Sequence, residues 1–224
     1  MTVKVFNERK FKMFKEAVRP AWVEVNLSNL DYNIKKIREK IGPAREMIGV
    51  IKADAYGHGS VECAKVLREN GVKMFAVATL SEAIHLRDNG TQEEIIILGL
   101  TPDFYVDTLI KYDLTPVVCS IDNARAINSA AKAESKIISA LIAIDTGMGR
   151  IGYLADEVDK AIPEIKEMTK LSNFKIKGMF SHMATADAAD KGHVVVGEVQ
   201  LIDGSDKAVD HDAVSAAGAE DEGQ

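Results

Sequence analysis

The chain has 224 residues, of which 46% are hydrophobic and 28% charged, and its net charge is −6 at pH 7. This length and composition are typical of a globular protein with one or two domains. The acidic charge is concentrated in residues 192–224, and no segment is basic enough to indicate nucleic-acid binding. No apolar run approaches the ~20 residues of a membrane span, and the first residues lack the apolar segment of a signal peptide. We therefore predict a cytoplasmic protein without nucleic-acid or membrane partners, in which Cys63 and Cys119 are reduced and no metal is bound.

The first part of the chain is predicted to form an extension, a strand and a helix. Residues 1–18 are interpreted as an N-terminal extension, and residues 21–27 alternate apolar and polar side chains as a strand does. Ser28 is the predicted N-cap of the helix that follows, and Gly42 with Pro43 is predicted to end it.

Strands and amphipathic helices then alternate as far as residue 180. Thr79 and Glu82 form a predicted capping box, Thr101 is a predicted cap, and Pro163 is expected to break the last helix or to begin its main segment. Six mostly apolar strands separated by helices indicate a parallel sheet covered on both faces, either doubly wound or closed as a barrel. The predicted strands are 47–51, 73–78, 94–98, 115–119, 136–144 and 175–180, and the predicted helices are 60–70, 79–90, 101–112, 121–133 and 156–171.

One strand ends in a lysine followed by a glycine-rich segment. Residues 50–59 read VIKADAYGHG, which places Lys52 at the carboxyl end of the strand, where parallel α/β folds hold their chemistry. A lysine amine in such a position can form a Schiff base with an aldehyde. The alternative is a solvent-exposed lysine that simply follows a strand, which is the common situation for this residue type.

Two further segments also follow predicted strands. Residues 145–152 read DTGMGRIG, and their three glycines let the backbone approach a ligand closely, although a plain turn with an exposed Arg150 has the same pattern. Residues 181–187 read SHMATAD and place His182 directly after the last strand, where a structural histidine is the alternative.

Together, these segments resemble signatures of the alanine racemases. The resemblance covers the strings KADAYGHG, DTGMGRIG and MFSHMATAD and runs from about residue 13 to residue 191. It implies a fold type III pyridoxal-phosphate enzyme: a partial (β/α)8 TIM-type barrel over residues 19–191, with about six parallel strands. In that family the opening strand, here 21–27, joins a β-rich C-terminal domain, which this interpretation takes to be absent. Residues 192–224 resemble neither that domain nor further barrel strands and are predicted to be an acidic, disordered tail, from a frameshift, a truncated gene or a fusion.

The resemblance implies roles for four polar residues. Lys52 is expected to carry pyridoxal 5'-phosphate and to act as the base on one face of the substrate, and Tyr56 to bind the cofactor's phosphate. Arg150 is expected to contact the cofactor's phenolic oxygen as a permanent cation, and to contact the substrate. His182 is expected to belong to the hydrogen-bond network around the cofactor.

Other residues complete the expected site. Met148 is expected to border the substrate, and Leu98 to pack against the pyridine ring, with a plain core leucine as the alternative. His58 is assigned no catalytic role, and His85 is expected on the surface. Ala143 departs from the family, which usually has a lysine there, modified to a carbamate that braces the arginine; related racemases of wider substrate range also lack that lysine.

The predicted function is the interconversion of L- and D-alanine, which serves D-alanine and cell-wall biosynthesis. The alternatives are a racemase of broader specificity, a cofactor-binding carrier without turnover and an inactive fragment. The full-length family implies a homodimer, whose second base is a tyrosine from the C-terminal domain of the partner subunit. Because no stretch of this chain matches that tyrosine, we expect the chain by itself to racemise poorly.

Overall fold

The computed structural model describes residues 3–6 and 23–185 of the chain. Strands and helices alternate through them, as the periodicity predicts. The strands are β1 Val3–Phe6, β2 Val23–Asn26, β3 Ile48–Val50, β4 Met74–Val77, β5 Glu94–Leu100, β6 Thr115–Val118, β7 Ile138–Asp145, β8 Tyr153–Leu154 and β9 Phe174–Phe180. The helical segments are α1 Leu27–Ile41, α2 Lys52–Tyr56, α3 Ser60–Glu69, α4 Leu80–Asp88, α5 Val106–Lys111, α6 Ile121–Ala133 and α7 Val158–Met168, with a 3-10 turn at Asp103–Tyr105.

The larger sheet confirms the six predicted parallel strands. Strands β3, β4, β5, β6, β7 and β9 pair in that order, each parallel to the next, and the short β8 is an addition that also pairs with β7. Strand β2 lies instead in a separate two-stranded sheet with β1. Sequential parallel strands with right-handed crossovers keep their helices on one side, which is the arrangement of a partial α/β barrel.

The two faces of this sheet bury different apolar clusters. Phe75 of β4 belongs to the larger cluster, which strands and helices build together. Its neighbour Ala76 points the other way, into a smaller inner cluster with Ile96, Val117 and Ala143. The inner cluster contains no residue from a helix, so among the described residues the sheet has the arrangement of a partial barrel and not of a doubly wound sheet.

The start of α1 differs from the prediction. Asn26, rather than Ser28, is the N-cap, because its side-chain oxygen accepts hydrogen bonds from the backbone N–H groups of Ser28 (2.9 Å) and Asn29 (3.1 Å). The helix already begins at Leu27, so Ser28 lies inside its first turn. Its predicted end is confirmed by the C-cap at Gly42.

The other predicted helix signals have mixed outcomes. The capping box of Thr79 and Glu82 is present in full. The predicted cap at Thr101 is wrong: the chain is still extended at Pro102, and α5 begins only at Val106, after the 3-10 turn.

Pro163 neither breaks nor begins the last helix, because α7 runs through it from Val158 to Met168. A proline removes one backbone N–H and so one helical hydrogen bond. The helix buries Ala161 and Met168, and this packing offsets the loss.

Some predictions fall outside the described residues. They concern the acidic tail, residues 192–224, and most of the predicted extension, residues 1–18. Within the described part of the chain, every helix is too short or too polar to span a bilayer.

Candidate active site at the carboxyl edge of the sheet

The predicted site residues all lie at the carboxyl edge of the larger sheet. Parallel strands end at a common edge, which is where α/β proteins place their ligands. Lys52 follows β3, and Leu98 lies near the end of β5. Met148 and Arg150 are in the loop after β7, and His182 follows β9.

The segment after Lys52 is a left-handed turn. Residues 53–56 have φ between 51° and 55°, and Gly57 closes the turn with φ 87°. Four successive non-glycine residues in this region are rare, because the side-chain Cβ crowds the backbone. The sequence predicts only a loop here, since its alanines ordinarily favour a right-handed helix.

Two carboxylates hold this turn in place. Asp54 Oδ1 accepts hydrogen bonds from the backbone N–H of Ser60 (2.7 Å) and from its hydroxyl (3.0 Å). The backbone N–H of Ala53 donates to Glu82 Oε1 at 2.7 Å. The strained turn is therefore fixed by one of its own side chains, Asp54, and by Glu82 from α4.

Lys52 and Tyr56 face each other across the turn. Lys52 is half-buried, and its Nζ lies 6.0 Å from the centroid of the Tyr56 ring. Tyr56 is 60% exposed, so its hydroxyl is open to a ligand. His58 is exposed and its Nδ1 lies 2.8 Å from the carbonyl oxygen of Ala55, while His85 is exposed as expected.

The loop that carries Arg150 is folded around the buried carboxylate of Asp145. This carboxylate accepts the backbone N–H groups of Gly147 (3.0 Å), Gly149 (3.0 Å) and Arg150 (2.9 Å). These bonds, that of Gly149 first, hold the pKa of the Asp145 carboxyl below its ordinary value. The Arg150 side chain itself is exposed at the mouth of the site.

The hydrogen bonds of Asp145 predict an acid-sensitive loop. Because its pKa is lowered by folding, the stabilisation is fully present above the unfolded pKa of about 3.9 and is lost as the pH falls through the folded value. We expect Asp145→Asn to lower the free energy of unfolding by about 1–2 kcal/mol at pH 7. The difference from the wild type should shrink below about pH 4.

Urea unfolding of both proteins between pH 7 and pH 3 measures this difference. Asp156→Asn, at an exposed position after the same loop, is the control and should leave stability nearly unchanged. A difference between wild type and Asp145→Asn that stays constant down to pH 3 would contradict the assignment.

Met148, Arg150 and His182 line one small pocket, together with Asp145 and Phe180. The loops after β7 and β9 are joined there by the hydroxyls of Thr146 and Ser181, 2.7 Å apart. The structure thus brings together three of the residues that the motifs single out.

Leu98 and Ala143 belong to the inner apolar cluster below this pocket. Ala143 is fully buried in it, and Leu98 packs against it with Cys119 and Phe180. Position 143, at which the family usually has a lysine, is therefore enclosed by apolar side chains.

The arginine loop has a second support, which the sequence patterns do not predict. Tyr153 donates its hydroxyl hydrogen bond to Glu164 Oε2 at 2.7 Å, and the same oxygen accepts the backbone N–H of Ile121 at 3.2 Å. Burial, followed by the bond to Glu164, raises the pKa of Tyr153. No local sequence pattern predicts the contact between Tyr153 and Glu164, because the two residues meet only when α7 packs against the loop.

Lysine, tyrosine, arginine and histidine side chains lie at the carboxyl edge of a partial α/β barrel, the edge at which barrels of this class hold their active sites. A family model described as "Alanine racemase, N-terminal domain" matches residues 25–202. The chain therefore belongs to the alanine racemase family. The match continues past residue 191, where the motif resemblance was predicted to stop.

Individual relatives agree with this assignment. The alanine racemase of Clostridium kluyveri is 50% identical over 175 residues, which are 78% of this chain and 44% of that protein. The alanine racemase of Clostridium difficile 630 has a similar structure, with a TM-score of 0.75 and 41% identity over 80% of this chain and 46% of that one. A histidine racemase from Leuconostoc mesenteroides subsp. sake has a TM-score of 0.65 and 28% identity, over 73% of this chain and 43% of that one. The chain spans less than half the length of these relatives.

Proposed function

We propose that this chain forms the pyridoxal-phosphate-binding part of an amino-acid racemase, with alanine as the substrate. One observation carries the proposal: in a member of the alanine racemase family, Lys52 stands half-buried at the carboxyl edge of the parallel sheet. The amine is thus accessible to an aldehyde while its backbone is held by the sheet and the turn.

The residues at this edge fit the chemical groups of the cofactor. Tyr56 and Arg150 are exposed, so a phenol hydroxyl and a cation are available to an anionic ligand. Leu98 belongs to the inner apolar cluster, which offers a surface to an aromatic ring. Asp54 and Asp145 both accept hydrogen bonds from nearby groups, so that their negative charges are partly offset.

Each residue then has a proposed task. When bound, pyridoxal phosphate withdraws electrons from an amino acid and acidifies its α-hydrogen. The Lys52 amine takes or returns the α-proton on one face. Arg150 faces the phenolic oxygen and, as a permanent cation, favours its ionised form. His182 supports Arg150 from the same pocket, and Met148 borders the substrate side chain.

A racemase of broader substrate range is the second candidate. The observation that favours it is Ala143, which is fully buried where the family usually has a modified lysine beneath the arginine. Arg150 then lacks that brace and is free to adjust to a larger substrate. The histidine racemase among the relatives is a member with a different named substrate.

The wider biological setting is part of the same proposal. We place the protein in the cytoplasm, as a homodimer in its full-length form, where it would supply D-alanine to the cell wall. Inversion at a carbon also requires a proton donor on the face opposite Lys52. None of the described residues is proposed to supply this second proton, so racemisation is a proposal for the whole protein.

Peptide mapping after borohydride reduction tests the proposal. The 224-residue chain is incubated with pyridoxal phosphate, reduced and digested, and the modified lysines are identified by mass. We expect the adduct at Lys52; a label on other lysines with Lys52 free would contradict the proposal. Racemisation assays with L-alanine and L-histidine then separate the two candidates, and an adduct without turnover identifies a carrier.

A further inference from the structure

Glu82 makes more contacts than the capping box of α4 requires. Its Oε2 accepts the backbone N–H of Thr79 at 3.0 Å, which is the capping bond, and that of Ala78 at 2.8 Å. Its Oε1 accepts the backbone N–H of Ala53 at 2.7 Å, although Ala53 lies 29 residues earlier in the chain. Ala53 directly follows Lys52, so this carboxylate joins the lysine segment to the end of β4.

The bond to Ala53 replaces a missing sheet contact. The backbone N–H of Ile51 still donates to the carbonyl oxygen of Ala76, at 2.9 Å, as in the ladder between β3 and β4. Beyond Ile51 the chain turns left-handed, and no β4 carbonyl serves Ala53. The Glu82 carboxylate accepts this N–H in place of a β4 carbonyl, so the hydrogen bonding that follows β3 continues for one more N–H, that of Ala53.

We infer that Glu82 is a positioning residue for Lys52, an inference that rests on the proposed function. Its carboxylate holds the peptide between Lys52 and Ala53 and thereby sets where the Lys52 amine meets the cofactor's aldehyde. The left-handed turn makes this restraint necessary, because L residues do not hold that conformation without support. Asp54 secures the far end of the turn at Ser60, and Glu82 secures the end next to Lys52.

Two variants separate this role from helix capping. Glu82→Gln keeps the size of the side chain but replaces one acceptor oxygen by an N–H donor, so it cannot serve all three backbone N–H groups. Thr79→Ala removes the hydroxyl that caps α4, whose bond to the Glu82 backbone N–H measures 3.4 Å, and leaves the Glu82 carboxylate in place. The remaining carbonyl oxygen of Glu82→Gln keeps most bonds by staying at Ala78 and Thr79, so the bond that it loses is the one to Ala53. Thr79→Ala weakens the cap of α4 and leaves the bond to Ala53 intact.

Two measurements on the full 224-residue chain give the test. The first is the exchange rate of the Ala53 amide hydrogen without cofactor, and the second is the amount of borohydride-reduced pyridoxal phosphate at Lys52 across a cofactor titration. For Glu82→Gln we expect Ala53 exchange to be about tenfold faster and adduct formation to need about tenfold more cofactor, as for one lost hydrogen bond to a charged group. Thr79→Ala should change both by less than about twofold.

Each outcome decides the inference. Unchanged Ala53 exchange in Glu82→Gln, or effects of equal size in Thr79→Ala, would overturn it. Faster exchange with an unchanged adduct would also overturn it, because the turn would then not direct Lys52. If the wild type gives no adduct at Lys52, the proposed function fails, and Ala53 exchange still shows whether Glu82 holds the turn.

Discussion

Replacing Lys52 by alanine will reduce the capture of pyridoxal phosphate at this site at least about 100-fold, because the covalent attachment needs a primary amine. The expected observation is the loss of the borohydride-reduced adduct on the peptide that contains residue 52, at cofactor concentrations that saturate the wild type. Lys52→Arg should behave in the same way, since a guanidinium keeps the charge but does not form the attachment.

A second lysine provides the control for this experiment. Lys65 lies on α3, where its Nζ pairs with Glu62 at 2.6 Å on the protein surface. Lys65→Ala should retain the adduct at residue 52 and lower stability by less than about 0.5 kcal/mol, as expected for an exposed ion pair. Adduct at full yield in the Lys52→Ala protein would place the cofactor on another amine and contradict the assignment.

Gly152→Ala will destabilise the chain by about 3 kcal/mol or more and displace the loop that carries Arg150. Gly152 has φ 124°, and an added Cβ would lie 2.7 Å from the backbone nitrogen of Asp145 and 2.8 Å from the carbonyl carbon of Ala143. These are backbone atoms of β7 and cannot move aside as a flexible side chain does. Urea unfolding measures the expected loss of stability.

Gly149 offers a matched control within the same loop. It also has a positive φ, of 69°, but an added Cβ would have no atom within 4 Å apart from those of its own residue and its two chain neighbours. Gly149→Ala should therefore cost only the backbone strain, about 1–2 kcal/mol. Equal losses for the two variants would mean that close packing against β7 does not determine the position of the loop.

Much of the fold follows from the spacing of apolar residues. The strands have the predicted order and sit within two residues of most predicted bounds, because each must bury a short apolar run in the sheet. Local sequence signals for the start and the interruption of helices are less reliable. Asn26 takes the cap expected at Ser28, and Pro163 is accommodated because tertiary packing outweighs one missing hydrogen bond.

The candidate site was predictable as a set of residues but not as an arrangement. The motifs identify Lys52, Arg150 and His182, and their places after strands bring them to one edge of the sheet. The left-handed turn after Lys52 has no counterpart in local propensity, since alanine favours the opposite hand. Its hydrogen bonds come from contacts made in the folded chain, Ala53 to Glu82 and Ser60 to Asp54.

The sequence by itself determined the alternation of strands and helices, the family and the residues at the ends of the strands. These depend on composition, periodicity and short motifs, which the chain carries locally. Only the tertiary structure decided that Asp145 folds the arginine loop, that Glu82 accepts the Ala53 backbone N–H and that Tyr153 meets Glu164. The reason is physical: these contacts join residues that are distant in the chain or in unusual backbone conformations, and they form only when the strands are already paired.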